Sequence, residues 1–211
     1  MAVETVRGRE FIIHFDGARC IHSRNCVLDR PDVFVPNVKG EWIYPDRADA
    51  AAMAQLAHNC PSGAIRYERM DGGKGEQPRL VNTVRVRENG PLAIHAPLVI
   101  DGTNRGLRAT LCRCGQSKKK PFCDSSHKAA GFAATGEPPT QESQALEIRS
   151  GPVNITPKLN GPLLINGNLE VVSGTGRTIN RVTKTLFCRC GDSANKPYCD
   201  GSHTRVGFKS E

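Results

Sequence analysis

The sequence predicts an α+β protein in which a small strand-helix-strand unit precedes two β-rich copies of one cysteine- and histidine-bearing unit. Three observations carry that prediction. The arrangement Cys112-x-Cys114-x8-Cys123-x3-His127 returns as Cys188-x-Cys190-x8-Cys199-x3-His203, displaced by 76 positions throughout. Across residues 112–132 and 188–208, 13 of 21 positions are identical, among them Arg113/Arg189, Gly115/Gly191, Ser117/Ser193, Lys120/Lys196, Pro121/Pro197 and Asp124/Asp200, and likeness of that degree marks a repeated unit. The remaining cysteines, Cys20, Cys26 and Cys60, follow a different spacing in a separate stretch.

Taken in order, Phe11-Ile12-Ile13-His14-Phe15 is a strand by its apolar bias. Val33-Phe34-Val35 and Trp42-Ile43-Tyr44 flank Asn37-Val38-Lys39-Gly40 as a hairpin, with Trp42 read as a core residue. A helix is expected over 46–58: Pro45 precedes it, Asp46 can cap it, and Ala48, Ala52, Leu56 and Asn59 form its inner stripe. Ile65 and Tyr67 return as a strand, and His14 and His58 are read as surface or hydrogen-bonded residues. Residues 71–78 and 136–143 are linkers by their Gly, Pro and polar composition. Each repeat opens with a strand and an Asn-Gly-Pro-Leu turn, Val84-Arg85-Val86 before Asn89 and Val153-Asn154-Ile155 before Asn160. Asn-Gly is a strong hairpin signal, and proline then stands where a lost donor matters least. Strands therefore precede both cysteine loops, and each Asp-x-Ser-His segment opens a short helix.

Three thiolates and one imidazole satisfy four coordination positions, and two chemistries use such a set. One is a structural Cys3His zinc; the other is an iron–sulfur cluster in which histidine replaces one cysteine. Zinc modules usually supply two cysteines two to four residues apart, whereas here Cys-x-Cys is followed eight residues later by the third sulfur. The spacing favours iron–sulfur.

These residues resemble the CDGSH iron–sulfur family, to which the NEET proteins belong, whose pattern runs Cys-x-Cys, Ser or Thr, Pro-x-Cys-Asp-Gly-Ser-His. The second copy fits throughout, by Ser193, Pro197, Cys199, Asp200, Gly201, Ser202 and His203. The first departs at Ser125, where the signature has glycine, so a backbone conformation comfortable only for glycine would be strained there. The resemblance implies a [2Fe–2S] cluster in each copy. Cys112 and Cys114 would hold one iron, Cys123 and His127 the other; Cys188, Cys190, Cys199 and His203 repeat the scheme. Because single-motif members pair as dimers, two copies in one chain imply an intrachain, β-rich pseudo-dimer and a sufficient monomer.

Cys20-x5-Cys26 with a distant Cys60-Pro61, and the stretch Cys26-Val27-Leu28-Asp29-Arg30-Pro31-Asp32-Val33-Phe34, resemble a single-cluster bacterial ferredoxin. Such ferredoxins begin Cys-x2-Cys-x2-Cys, and Ser23 stands at the middle place. The resemblance then implies [3Fe–4S] on Cys20, Cys26 and Cys60. The alternatives are [4Fe–4S] with Ser23, His22 or water on the fourth iron, and an empty site of three structural cysteines. The expected organisation is a ferredoxin-like domain over 1–70, a linker over 71–80, CDGSH-type domains over 81–135 and 151–211, and a linker over 136–150.

Nine cysteines fall into three sets of three, which leaves none for a disulfide or a catalytic thiol. Thiolates kept for metal imply a reducing compartment. The first residues lack an apolar signal segment, and no run approaches the ~18 apolar residues of a membrane helix; the expectation is a cytoplasmic protein away from the membrane. With 35 Gly and Pro positions and 5% aromatic residues, each unit has a modest core, so metal binding contributes to folding.

The formal charge is +8, and all of it lies in residues 81–211, which hold 18 Lys and Arg against 10 Asp and Glu; residues 1–80 hold 11 of each. The excess surrounds the expected anionic clusters, which would bring the loaded protein near ~+4. Lys118-Lys119-Lys120 lies between Cys114 and Cys123, either as a docking patch for an acidic partner or as a solvated loop. Nucleic acid is not expected as a partner, since no stacking aromatics interleave the charges. No nucleotide fingerprint and no nucleophile–base motif is visible, so no enzyme is expected. The reading is an iron–sulfur protein acting in electron transfer, cluster transfer or redox sensing, with a redox or cluster-accepting protein as partner. Its alternative is a zinc-stabilised interaction module.

Overall fold

The structure, a computed structural model, describes residues 3–210 and divides between Gln77 and Pro78 into two compact units. Both are rich in β-structure with a few short helices.

In the first unit, β1 (Glu4–Arg7), β2 (Phe11–Phe15) and β3 (Ile65–Arg69) form an antiparallel sheet with β2 in the middle. Alternation along β2 puts Phe11 and Ile13 into the core. Helix α1 (Asn25–Asp29) is a single turn, and α2 (Ala50–His58) buries Ala50, Met53, Leu56 and Ala57, a helical stripe. That stripe corrects the expected one: Asn59 is exposed and Ala52 only half-buried. The cap is corrected too. Asp46 sits in a 3-10 turn, Pro45–Arg47, where its carboxylate accepts from the Arg9 amide (2.7 Å). Ala48 is then extended, and the α-helix restarts behind Asp49, whose side chain accepts from the Ala52 amide (2.8 Å). The expected hairpin is a single bridge, Phe34 to Ile43, flanked by Val35 N–H to Trp42 O and Tyr44 N–H to Val33 O, both 2.8 Å. Trp42 packs edge-on against Phe15 and Phe34. His14 bonds Glu68 and His58 bonds Tyr67, each at 2.8 Å, so both are satisfied.

The second unit is a six-stranded sheet: β4 (Thr83–Val86), β5 (Leu92–Ile100) and β6 (Thr103–Leu111) from the first repeat, β7 (Val153–Pro157), β8 (Leu163–Val172) and β9 (Thr178–Phe187) from the second. Within each repeat the pairings are antiparallel; between repeats they are parallel and reciprocal. Val84 lies opposite Val171, and Ile155 opposite Ile100. The equivalent strand residues are thus Val84 and Ile155, each five positions before the asparagine of its turn. Strict alternation buries Leu92, Ile94, Ala96, Leu98 and Ile100 along β5, and they join Leu163, Ile165, Leu169 and Val171 of β8 in one apolar cluster. At ~1.5–3 kcal/mol for each large aliphatic side chain buried, this shared core binds the repeats more firmly than either could manage alone. Asn89 and Asn160 take left-handed conformations at the β4–β5 and β7–β8 turns (φ 46° and 49°). Residues 136–141 run along the second repeat, with Gly174 N–H to Gly136 O at 2.7 Å and Gln141 N–H to Ile179 O at 2.8 Å. Among the described residues, no helix is long and apolar enough to cross a membrane.

Candidate metal centres

Strand β6 ends at Leu111 and delivers Cys112 and Cys114; the chain then folds back on itself. Cys112 N–H bonds Pro121 O (2.8 Å) and Cys123 N–H bonds Thr110 O (2.9 Å), which sets the third cysteine beside the strand that carries the first. Ser117 Oγ donates to Phe122 O (2.6 Å) and accepts from Lys119 N–H (3.0 Å). Asp124 accepts from Lys118 N–H (2.8 Å) and Ser126 N–H (3.0 Å), joining the loop to the start of α3 (Ser126–Ala129). The second repeat copies each bond: Cys188 to Pro197, Cys199 to Leu186, Ser193 to Tyr198, and Asp200 to Ala194 and Ser202 at the start of α4 (Ser202–Arg205). Burial works against ionisation of Asp124, but hydrogen bonds from Ser126 and Lys118 outweigh it and hold the carboxyl at about 2. Hydrogen bonds from Ser202 and then Ala194 hold Asp200 well below the usual carboxylate range. This bracing role of the aspartates was missed at the sequence level; their identity in both copies was the available signal. As expected, Ser125 occupies a left-handed conformation (φ 73°) where its counterpart is Gly201 (φ 88°).

The donors come together in pairs. Cys112 Sγ lies 3.8 Å from Cys114 Sγ, and Cys123 Sγ lies 3.5 Å from His127 Nδ1. In the second repeat the distances are 3.6 Å for Cys188 and Cys190 and 3.4 Å for Cys199 and His203 Nδ1. A single tetrahedral zinc, with bonds of ~2.0–2.3 Å, would gather all four donors around one point. Among the described residues no three His, Cys, Asp or Glu side chains are grouped in that way. Two pairs across one loop suit two metal atoms, with Nδ1 as the histidine donor. Backbone amides already face the sulfurs: Gln116 toward Cys114 (3.5 Å), Ser125 toward Cys123 (3.4 Å) and Gly201 toward Cys199 (3.4 Å). The hydrogen bond between Cys112 and Cys114 holds the first thiol down and pushes the second up, while burial pushes Cys123 up to about 11. Metal therefore displaces protons on binding here.

Two buried arginines complete these centres, and the sequence reading noted only their identity. Arg113 donates to the carbonyls of Gly90, Thr135, Arg87 and Ala134, and Arg189 to those of Gly161 and Lys158. None of these acceptors is a carboxylate. Phe132 and Phe208 cover the two guanidinium groups at 5.4 and 5.5 Å. Burial lowers Arg113 to about 10, still protonated at neutral pH. Each loop thus encloses a fixed cation suited to offset the charge of thiolates and cluster. The loops also meet back to back. A Cβ at Gly115 would lie 2.3 Å from Cys190 O, and one at Gly191 would lie 2.7 Å from Cys114 O, so neither position admits a side chain. Lys120 turns inward, donating to Ser117 O (2.7 Å) with its ammonium 5.8 Å from the Phe208 ring centre; Lys118 and Lys119 are exposed.

In the first unit, Cys20, Cys26 and Cys60 line one cavity of about 670 Å³ together with His22, Ser23, Phe15 and Trp42. Left-handed residues His22 and Arg24 (φ 51° and 65°) curl the chain around Ser23, so that Cys20 and Cys26 reach the same space. Cys60 arrives from the end of α2, its amide bonded to Ala57 O (3.0 Å). His22 N–H points at Cys20 Sγ (3.4 Å). Burial, then the charge of Cys60, pushes Cys26 up to about 11. The cavity gathers three sulfurs and offers a hydroxyl and an imidazole as further donors.

A family model described as iron-binding zinc finger CDGSH type matches residues 89–128 and 160–204, and one described as divergent 4Fe-4S mono-cluster matches residues 6–70. The chain is 39% identical over 61 residues to the uncharacterized protein YjdI of Escherichia coli K12, covering 28% of this chain and 78% of the relative. It is 31% identical over 90 residues to CDGSH iron-sulfur domain-containing protein 1 of Rattus norvegicus, covering 43% of this chain and 73% of the relative. For the Bos taurus protein of the same name the figures are 32% over 91 residues, 43% and 76%.

Proposed function

Because this chain belongs to the CDGSH iron–sulfur family, we propose that it carries electrons through two [2Fe–2S] centres and one amino-terminal cluster. The observation that carries this reading is the pairing of donors: Cys112 with Cys114 and Cys123 with His127 in one repeat, Cys188 with Cys190 and Cys199 with His203 in the other. When bound, such clusters supply one-electron chemistry. The chain's own residues hold them, offset their charge with Arg113 and Arg189, and exclude water by burying most of the sulfurs. The reciprocal parallel pairings support an intrachain pseudo-dimer in which one chain suffices.

At the amino-terminal site the reading is [3Fe–4S] on Cys20, Cys26 and Cys60, because Ser23 offers no thiolate for a fourth iron. A [4Fe–4S] cluster completed by Ser23, His22 or water is the second reading, favoured by the description of the matching family model. The centres serve a carrier, with cluster transfer or redox sensing as uses of the same chemistry, in a reducing compartment such as the cytoplasm. Exposed Lys118 and Lys119 beside the first loop suit an acidic protein partner.

Anaerobically purified protein is expected to be red-brown, to contain iron and acid-labile sulfide, and to lose visible absorption on reduction. Colourless protein with about two zinc per chain, one for each Cys3His set, would instead establish the zinc-stabilised module.

A further inference from the structure

The two repeats share their loop geometry, yet their histidine ends are covered differently. Cys123 and His127 are buried, at 6% and 9% exposure, while Cys199 and His203 are half-buried. In the first repeat Arg87 and Glu88 stand just before the Asn89 turn. Arg87 is half-buried and its charge is felt by both Cys123 and His127. Glu88 is tied back by its carboxylate to the Gly136 amide, which fixes the passing segment beside the turn. The equivalent residues before Asn160 are Lys158 and Leu159. Lys158 is exposed and Leu159 is 75% exposed. The Lys158–Gly161 turn lies against the second histidine: a Cβ on Gly161 would be 3.7 Å from His203 Nε2. Val206, 44% exposed, follows one turn later where the first repeat has Ala130. Lys158 and Arg205 are exposed cations next to Leu159 and Val206 in the chain, and the Asn160 amide, 3.1 Å from Ser210 Oγ, brings exposed Lys209 toward the same turn.

We infer that the carboxy-terminal repeat is the exchange site of the protein, seating an acidic acceptor protein that presents cysteine thiols over Leu159 and Val206, while the first repeat gives up its cluster only slowly. This rests on the iron–sulfur reading above and goes beyond it by dividing the two centres. The transfer is a ligand exchange in which no electron moves. Each acceptor thiol releases its proton as its sulfur binds iron. Three protons go to Cys188, Cys190 and Cys199 as their iron bonds break, and the fourth goes to the freed His203 imidazole or to water. The strain at Ser125 opposes this order, since a left-handed conformation is unfavourable for a residue other than glycine. That cost weakens the first loop but opens no path to its iron, and an incoming thiol must reach the metal before it can displace a ligand.

The test mixes oxidised holoprotein with an excess of the apo form of an acidic [2Fe–2S] ferredoxin with four cysteine ligands, following cluster movement by visible circular dichroism. Two phases of equal amplitude are expected, the fast one belonging to the second repeat. In His203→Cys, whose cluster has an all-cysteine spectrum, the altered spectrum should fall in the phase that was fast, and that phase should slow. Arg87→Ala should speed the slow phase, and Leu159→Asp or raised salt should slow the fast one, as expected when rim contacts set association. Loss of both clusters at one rate, a fast phase that keeps the native spectrum in His203→Cys, or a fast phase indifferent to salt and to Leu159→Asp would overturn the inference. Protein without visible absorption would instead refute the iron–sulfur reading itself.

Discussion

The amino-terminal site and the two repeat sites hold their donors by opposite means. Each repeat places four donors within 16 residues and pins them with hydrogen bonds within the loop and to the strand that delivers it, such as Cys123 N–H to Thr110 O and the Asp124 carboxylate to the Lys118 and Ser126 amides. The amino-terminal site collects Cys20 and Cys26 from one curled segment and Cys60 from the far end of α2, around a cavity of about 670 Å³. One kind of site is made by its loop; the other is made by the packing of a whole small unit. The sharpest way to break this contrast is to remove one donor. Cys60→Ser should abolish the paramagnetic signal expected of an oxidised [3Fe–4S] cluster while sparing both repeat centres, whose proposed [2Fe–2S] clusters would be silent when oxidised. Absence of that signal in fresh anaerobic protein would favour the four-iron or the empty site.

The next effect tests how far the repeat loops depend on each other. Gly115→Ala forces a Cβ to 2.3 Å from the Cys190 carbonyl, a clash with backbone that cannot be relieved by a rotamer change. It should destabilise the second unit by ~3 kcal/mol or more and loosen the cluster of both repeats, while the amino-terminal signal persists. Arg113→Met removes donors from the buried Gly90 carbonyl and from three partly buried ones and should cost ~1–3 kcal/mol. Arg113→Lys keeps the charge but not the fork, so it should recover part of the reduction potential lost in Arg113→Met while staying unstable, as measured by redox titration beside thermal unfolding.

What could be read in the sequence follows the same division. The four donors of each repeat, the short helices at Ser126 and Ser202, the Asn-Gly turns and the anomaly at Ser125 are local, so spacing and residue type suffice. Arg113 was invisible as a countercharge because its acceptors Gly90 and Thr135 lie more than twenty residues away on either side. The contact of Gly115 with Cys190 depends on which strands of the two repeats pair, and cysteine spacing says nothing of that. In the first unit the helix start was misplaced because Asp46 and Asp49 are equally good caps by type; the Arg9 amide, a distant residue, claims the first.

Acid separates the loops from the sheet behind them. The lowered pKa of Asp124 means that its contribution to stability is full above the unfolded value of ~3.9. It is lost as pH falls through that value toward about 2, and Asp200 follows the same sign. In metal-free protein, where no thiolate ligand competes, acid should therefore release the cysteine loops below pH ~4, visible as faster amide exchange at Lys118 and Ala194. Asp124→Asn should remove that step in the first repeat alone.

The smallest effect is the most discriminating, because it asks whether the loops are as self-contained as their bonds suggest. Ser125 and Gly201 stand at the same place in two copies of one loop, both left-handed, with φ of 73° and 88°. A non-glycine residue there costs ~1–2 kcal/mol, offset in part because glycine also gains freedom in the unfolded chain, so Ser125→Gly should stabilise the first repeat by only ~0.5–1 kcal/mol. Gly201→Ser should destabilise the second by a similar amount, since nothing lies within 4 Å of a Cβ at Gly201 and no clash adds to the strain. If the loops are local devices, the two changes are equal and opposite, and the double variant unfolds at the native midpoint. A double variant far from that midpoint would mean that the surroundings of the two loops, and not the loops themselves, decide how tightly each holds its donors.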